Sequence, residues 1–251
     1  MGTKLISNDT LAPWNSKVVP PITRGLEGWF TFDTDANRFM RNRALGKGDA
    51  VIVGTPAAFS GYGRFKGLSN YIQTDIAETD EQTLIVVGRA VVAIPGGGGD
   101  EFTPFYVGNY RGQSVSPGVT GASYGTNLYH NLPTTMIGAA SRNNGAGGAT
   151  SGPLTLTNEA PTDWGIRVLR TKSGVPSVVQ NVTRGSMSIG TAIENRVLTD
   201  TKFRIGSGSQ GFAGEVDISF VAIHSVYLTD AELSAQIAVI RKRMARLGIA
   251  G

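Results

Sequence analysis

The stretch GEVDISFVAIHSVYLTDAEL, Gly214–Leu233, decides how the whole chain is read. Its first half alternates polar and apolar residues. Glu215 and Asp217 stand two apart, which puts both on one face of a strand. Its second half changes period. Thr229 and Glu232 are spaced as a capping box, and Leu233, Ile237, Ile240, Met244 and Leu247 follow at helical intervals, with Gly248 as a natural stop. The pattern predicts a strand followed by one amphipathic helix over 229–247. The apolar stripe should lie on the body of the protein. Arg241, Lys242, Arg243 and Arg246 fall on the other face, where cations near a helix C-terminus favour the macrodipole.

Upstream of this stretch the signals are those of short strands. GLEGWFTFDTD (25–35) carries Leu26, Trp29 and Phe30 as apolar anchors and ends in an Asp-rich turn. DAVIVGTPAAF (49–59) and GRFKGLSNYIQTDI (63–76) supply further short strands. QTLIVVGRAVVAI (82–94) is a continuous β-branched run, the mark of a strand buried on both faces, and it ends at the loop PGGGGDE. EFTPFYVGNY (101–110) and TTMIGAA (134–140) read as strands, and SRNNGAGGATSG (141–152) as a long flexible loop. DWGIRVLRTKSGVPSVVQNVTRGS (163–186) reads as a hairpin turning at Lys172-Ser173-Gly174. Strands at this spacing, with turn signals between them, predict an all-β fold: a two-sheet antiparallel jelly-roll sandwich with one C-terminal helix.

The totals set bounds on function. A chain of 251 residues buries a sizeable core without staples, and it has no cysteine, which excludes disulfides, thiolate nucleophiles and cysteine-held metals. The net charge of +4 comes from scattered residues and does not mark a direct nucleic-acid binder. No apolar run approaches the roughly 20 residues of a membrane span, and MGTKLISNDTLAPWNSK lacks the apolar region of a secretory signal. Residues 1–24 differ from the rest, with Pro13, Pro20 and Pro21 and no sustained period. They read as an extended N-terminal arm ahead of a jelly roll over 25–251. Leu5, Ile6, Leu11 and Trp14 are the apolar groups of that arm suited to anchoring on a partner.

The order of these pieces resembles the concanavalin A-like lectin/glucanase (laminin-G-like) jelly roll over about residues 25–247. GLEGWFTFDTD is similar to its opening strand, GRFKGLSNYIQ to a strand–glycine–aromatic segment, and WGIRVLRTKSGVPSVVQNV to its hairpin. The fullest match is FRIGSGSQGFAGEVDISFVAIHSVYLTDAEL (203–233), with an Ile-Gly pair, a Phe-x-Gly turn, an acidic strand and a helix start. Glucanases of this kind carry Glu-x-Asp-x-Glu on one strand. Glu215 and Asp217 match its first two positions, but the third falls on Ser219, or on Phe220 if one residue is inserted. A retaining glycosidase needs two carboxyl groups about 5–5.5 Å apart. With one of its acids missing, the motif implies no catalytic residue. The expectation is that Val216 and Ile218 face the core while Glu215 and Asp217 face water or a loop.

Other chemistry is thin. His130 and His224 lack a G-x-S-x-G elbow to work with. Asp33, Asp35, Asp100 and Glu101 read as acidic turns rather than a Ca²⁺ site, so no metal or cofactor is expected. Trp29 and Trp164 are expected in the core, with sugar stacking as the alternative. Domains of the resembled family occur in tailed-phage structural proteins. The resemblance and the arm together imply a non-enzymatic virion component, a capsid decoration (cement) or tail protein made in the host cytoplasm and associated with other virion proteins as a homo-oligomer. The alternative is a carbohydrate-binding adhesin or receptor-binding module with a cell-surface glycan as partner.

Overall fold

The computed structural model describes residues 18–249. Two antiparallel sheets face each other. The first runs in the order Ser186–Ile189, Val175–Asn181, Gly165–Lys172, Gln82–Ala90, Glu215–His224, Tyr62–Lys66 and Ala57–Phe59, and Leu26–Thr31 pairs with the second half of Glu215–His224. The second runs Pro153–Leu156, Thr135–Ala140, Thr126–Leu132, Phe105–Gly108, Arg204–Ile205, Tyr71–Gln73 and Val51–Val53. The fold is thus the expected all-β sandwich closed by a single C-terminal helix, Asp230–Arg246.

Between the sheets lies a core of Phe30, Phe32, Phe39, Phe65, Leu84, Val86, Tyr106, Val107, Leu128, Leu169 and Ile223, among others. Phe32 packs edge-on against Phe39 and Phe65 at 5.2 and 5.0 Å between ring centres. A second apolar layer forms on the outer face of the first sheet. There Leu233, Ile237, Ile240 and Met244 of the helix cover Trp29, Ile85, Val87, Ile166, Val168, Phe220 and Ala222. The two layers explain the continuous apolar run of the central strand: Leu84 and Val86 point inward, while Ile85 and Val87 point out beneath the helix.

The helix begins as its sequence dictates. The Glu232 N–H donates to Thr229 Oγ1 at 3.3 Å, and the Thr229 N–H donates to Glu232 Oε2 at 2.8 Å. Arg241 and Lys242 are exposed as expected. Arg243 departs from the expected solvent face. It donates to Ser219 Oγ at 2.7 Å and to Asp33 Oδ2 at 3.0 Å, so a residue read as part of a solvated stripe clamps the helix to the sheet.

The strand Glu215–His224 holds an irregularity that positions everything below. Its pairing with Gln82–Ala90 slips between Ile218 and Phe220. Val216 and Ile218 face the inter-sheet core, as do Val221 and Ile223, whereas Phe220 and Ala222 face the helix. Ser219 is the extra residue, and it reverses the alternation. Its hydroxyl donates to Gly61 O at 2.6 Å. The helix therefore covers the second half of the strand, and the first half presents Glu215 and Asp217 on the same outer face beyond the helix's reach.

The hairpin turns where expected, with Lys172 paired to Val175 and Gly174 at φ 73°. The loop 141–152 departs from its flexible reading. Arg142–Asn143 and Ala149–Thr150 form a two-stranded ribbon, and the Arg142 guanidinium, buried, donates to Glu194 O, Val175 O and Ser177 Oγ at 2.6, 2.9 and 2.9 Å. Residues 18–24, read from sequence as the end of the arm, lie on the body. Val18 bridges to Ala44, Val18 and Ile22 pack against the helix layer, and Arg24 pairs with Glu232 at 2.7 Å. The four anchoring residues Leu5, Ile6, Leu11 and Trp14 lie outside the described residues.

Candidate ligand-binding face

Strand pairing puts Asp217 directly between two cations. It is the cross-strand partner of Arg64 on one side and of Arg89 on the other. Residues opposite one another in an antiparallel pair share a face, so the three side chains form one row across three strands. Arg64 Nε donates to Asp217 Oδ1 at 2.8 Å and Arg64 Nη2 to Oδ2 at 3.2 Å, while Arg89 Nε donates to Oδ2 at 3.1 Å. The Asp217 side chain is fully buried, and both arginine side chains are 32% exposed. This corrects the sequence expectation that Asp217 faces water or a loop. A carboxylate can be buried here because two guanidiniums take both of its oxygens. Glu215, half-buried, stands opposite the exposed Lys66 at the end of the same face. The bond to Asp217, opposed by burial, holds the Arg64 guanidinium above its already high ordinary pKa.

Aromatic rings flank the row. Arg64 lies over Phe59 at 5.0 Å, and Arg89 lies over Trp164 at 4.9 Å and Tyr62 at 5.6 Å. Phe59 stacks on Tyr62 at 4.9 Å, and Tyr62 meets Trp164 edge-on at 5.3 Å. Phe59 is 37% exposed, and Tyr62 and Trp164 are half-buried. Trp29, expected in the core, is there, under the helix and edge-on to Phe220 at 4.6 Å. Trp164 differs. It packs against the helix layer and also closes the aromatic–arginine face.

Asp217 is engaged at both oxygens and is not free to attack. Ser219, standing where the glucanase motif has an acid, is held between Gly61 O and Arg243. The remaining sequence candidates are dispersed. Asp33 holds Arg243, Asp35 caps a short turn through Asn37 N at 3.0 Å, and Asp100–Phe102 forms one 3₁₀ turn. Among the described residues no group of three or more His, Asp or Glu is placed to hold a metal ion, and no helix is long and apolar enough to cross a membrane.

Both histidines are buried. His130 lies 2.8 Å from Tyr106 Oη through Nδ1 and 3.9 Å from Glu159 through Nε2, and burial lowers its pKa to about 4. His224 bonds Arg24 O and Gln236, tying residues 22–24 to the helix, and burial lowers its pKa also. A cleft of about 420 Å³ lies elsewhere, floored by Phe30, Ala50 and Ile76 and rimmed by Glu27, Lys47, Asp49 and Asp75.

No protein-family model matches the chain, and no curated protein matches it in sequence. Solved structures do match in fold. A mutant of Trypanosoma rangeli sialidase displaying trans-sialidase activity superposes with a TM-score of 0.60 at 11% identity, covering 87% of this chain and 33% of the sialidase. The binding domain of Botulinum Neurotoxin DC in complex with SialylT superposes with a TM-score of 0.59 at 8% identity, covering 88% of this chain and 52% of that one. Trypanosoma rangeli sialidase in complex with sialic acid gives 0.56 at 14% identity, again over 87% of this chain and 33% of the sialidase. The similarity is one of fold. The chain spans a third to about half of each of these neighbours.

Proposed function

We propose that the protein is a glycan-binding β-sandwich module that holds its ligand without transforming it. The observation that carries this reading is the row Arg64–Asp217–Arg89 with Phe59, Tyr62 and Trp164 around it, outside the area the helix covers. The rings stack on the guanidiniums and hold them in place, leaving ring edges beside the charged row. A few fixed donors then set a ligand's orientation, which is the composition of sites that bind small polar ligands. The arginines are fixed by the buried carboxylate and by stacking, so little side-chain entropy remains to be lost on binding. The neighbours in fold include proteins solved with sialic acid and with SialylT, which supports a glycan as the class of partner. The test is a glycan array probed with the wild type and with Trp164→Ala. The wild type should bind a defined set of glycans, and the variant should lose that set while staying folded. A wild type that binds nothing, or a variant that binds as well, would refute the reading.

The virion placement is a second proposal. It rests on the sequence of residues 1–17, with Leu5, Ile6, Leu11 and Trp14 as anchoring groups, while residues 18–24, read as part of the same arm, pack on the body through His224, Gln236 and Glu232 instead. Deleting residues 2–17 should leave a folded, soluble protein that no longer joins the particle. Unchanged incorporation would contradict it.

A further inference from the structure

We infer that this face selects glycans bearing a carboxylate, with the free end of Arg89 as the group that reads it; the inference rests on the glycan-binding reading above. The three bonds to Asp217 consume Nε and Nη2 of Arg64 but only Nε of Arg89. Among the described residues neither Nη1 nor Nη2 of Arg89 has an acceptor. Its terminal fork is therefore open to solvent or a ligand, a third of the side chain is exposed, and the guanidinium lies over Trp164 and Tyr62. A planar fork of two parallel N–H donors matches the two oxygens of a carboxylate.

The charge count points the same way. Arg64, Arg89 and Lys66 face Asp217 and Glu215, so three positive charges meet two negative ones and one positive charge is left over. One net charge complements a monoanion. A dianion would be opposed by Glu215 beside Arg64. In this arrangement Asp217 is a positioning residue: it touches no ligand but fixes which end of each arginine is offered.

The experiment is an array carrying uronate- and sialate-bearing glycans, the same glycans after reduction of the carboxyl to a primary alcohol, and sulfated glycans on neutral backbones. It is read with the wild type, Arg89→Lys and Arg89→Gln, each checked for folding by its thermal transition. Binding of the acidic glycans should exceed that of their reduced counterparts at least 10-fold, and sulfated glycans should bind no better than neutral ones. Arg89→Gln should bring the acidic glycans down to the level of the reduced ones. Arg89→Lys, which keeps the charge and loses the fork, should recover only a minor part. Equal binding of acidic and reduced glycans would overturn carboxylate selection while leaving a glycan-binding module standing. A preference for sulfate would overturn the carboxylate assignment in favour of simple charge. Binding of none by the wild type would overturn the glycan reading itself.

Discussion

Replacing Asp217 by Asn keeps the size of the side chain and removes the charge that holds two guanidiniums. Three bonds are affected, at 2.8, 3.2 and 3.1 Å. Hydrogen bonds to charged groups are worth about 1.5–3 kcal/mol each. Breaking one side of a fully buried ion pair costs about 3–5 kcal/mol. Here the carboxylate is fully buried, but each arginine is about a third exposed and recovers part of its hydration. The expected loss is therefore below that range, about 2–3 kcal/mol in all. Urea unfolding followed by tryptophan fluorescence measures it, since Trp164 stacks on Arg89 and Trp29 packs on Phe220 of the strand that carries Asp217. A triple variant, Arg64→Met with Asp217→Leu and Arg89→Met, should regain most of the lost stability, because apolar replacements remove the burial penalty along with the pair. It should bind no glycan. An Asp217→Asn protein within about 0.5 kcal/mol of wild type would refute the view that this carboxylate organises the face.

Ile237→Ala should destabilise by about 2–5 kcal/mol, measured by the same unfolding, because Ile237 is buried between helix and sheet. Stability should fall as pH drops from about 6.5 towards about 4: the unfolded chain takes up a proton on His130 in that window, and burial delays uptake in the folded state. Thermal transitions across that window should show a shallower fall in His130→Gln, with the remainder due to His224, whose pKa is lowered in the same direction, and, towards pH 4, to Glu159 and Glu232, whose pKa values are lowered to about 2. Neither the wild type nor Glu215→Gln should turn over β-glucans or bacterial surface polysaccharide. Turnover by the wild type that vanishes in the variant would overturn the non-catalytic reading.

Much of the fold was legible because its signals are local. The capping box at Thr229–Glu232, the turn at Ser173-Gly174 and the doubly buried run at 82–90 each follow from a few adjacent residues. The bulge was legible only in outline. The change from polar residues at 215, 217 and 219 to four apolar residues at 220–223 marks where alternation breaks. The strand Thr126–Leu132 escaped because it buries polar residues: Thr126 bonds Asn109 and Glu78, and His130 bonds Tyr106. A hydrophobic pattern does not register such a strand. The candidate face was hidden for a different reason. Alternation puts Arg64 and Asp217 each on a face of its own strand, but their pairing depends on register between segments 153 positions apart. Tyr62, Arg64 and Lys66 alternating with Gly63 and Phe65 was the one local sign that this strand offers cations and a ring outward. Arg243 was misplaced because helical spacing gives a direction around the axis and not the sheet edge it meets.

The most direct test of the central claim is an NMR titration of the ¹⁵N-labelled protein with the glycan that binds best on the array, following backbone amides and the indole N–H signals. Shifts should concentrate on Phe59–Lys66, on Arg89, on Glu215–Asp217 and on the Trp164 indole, with the Trp29 indole unmoved beneath the helix. Shifts gathered instead around Glu27, Asp49, Asp75 and Ser225, the walls of the 420 Å³ cleft, would contradict the account.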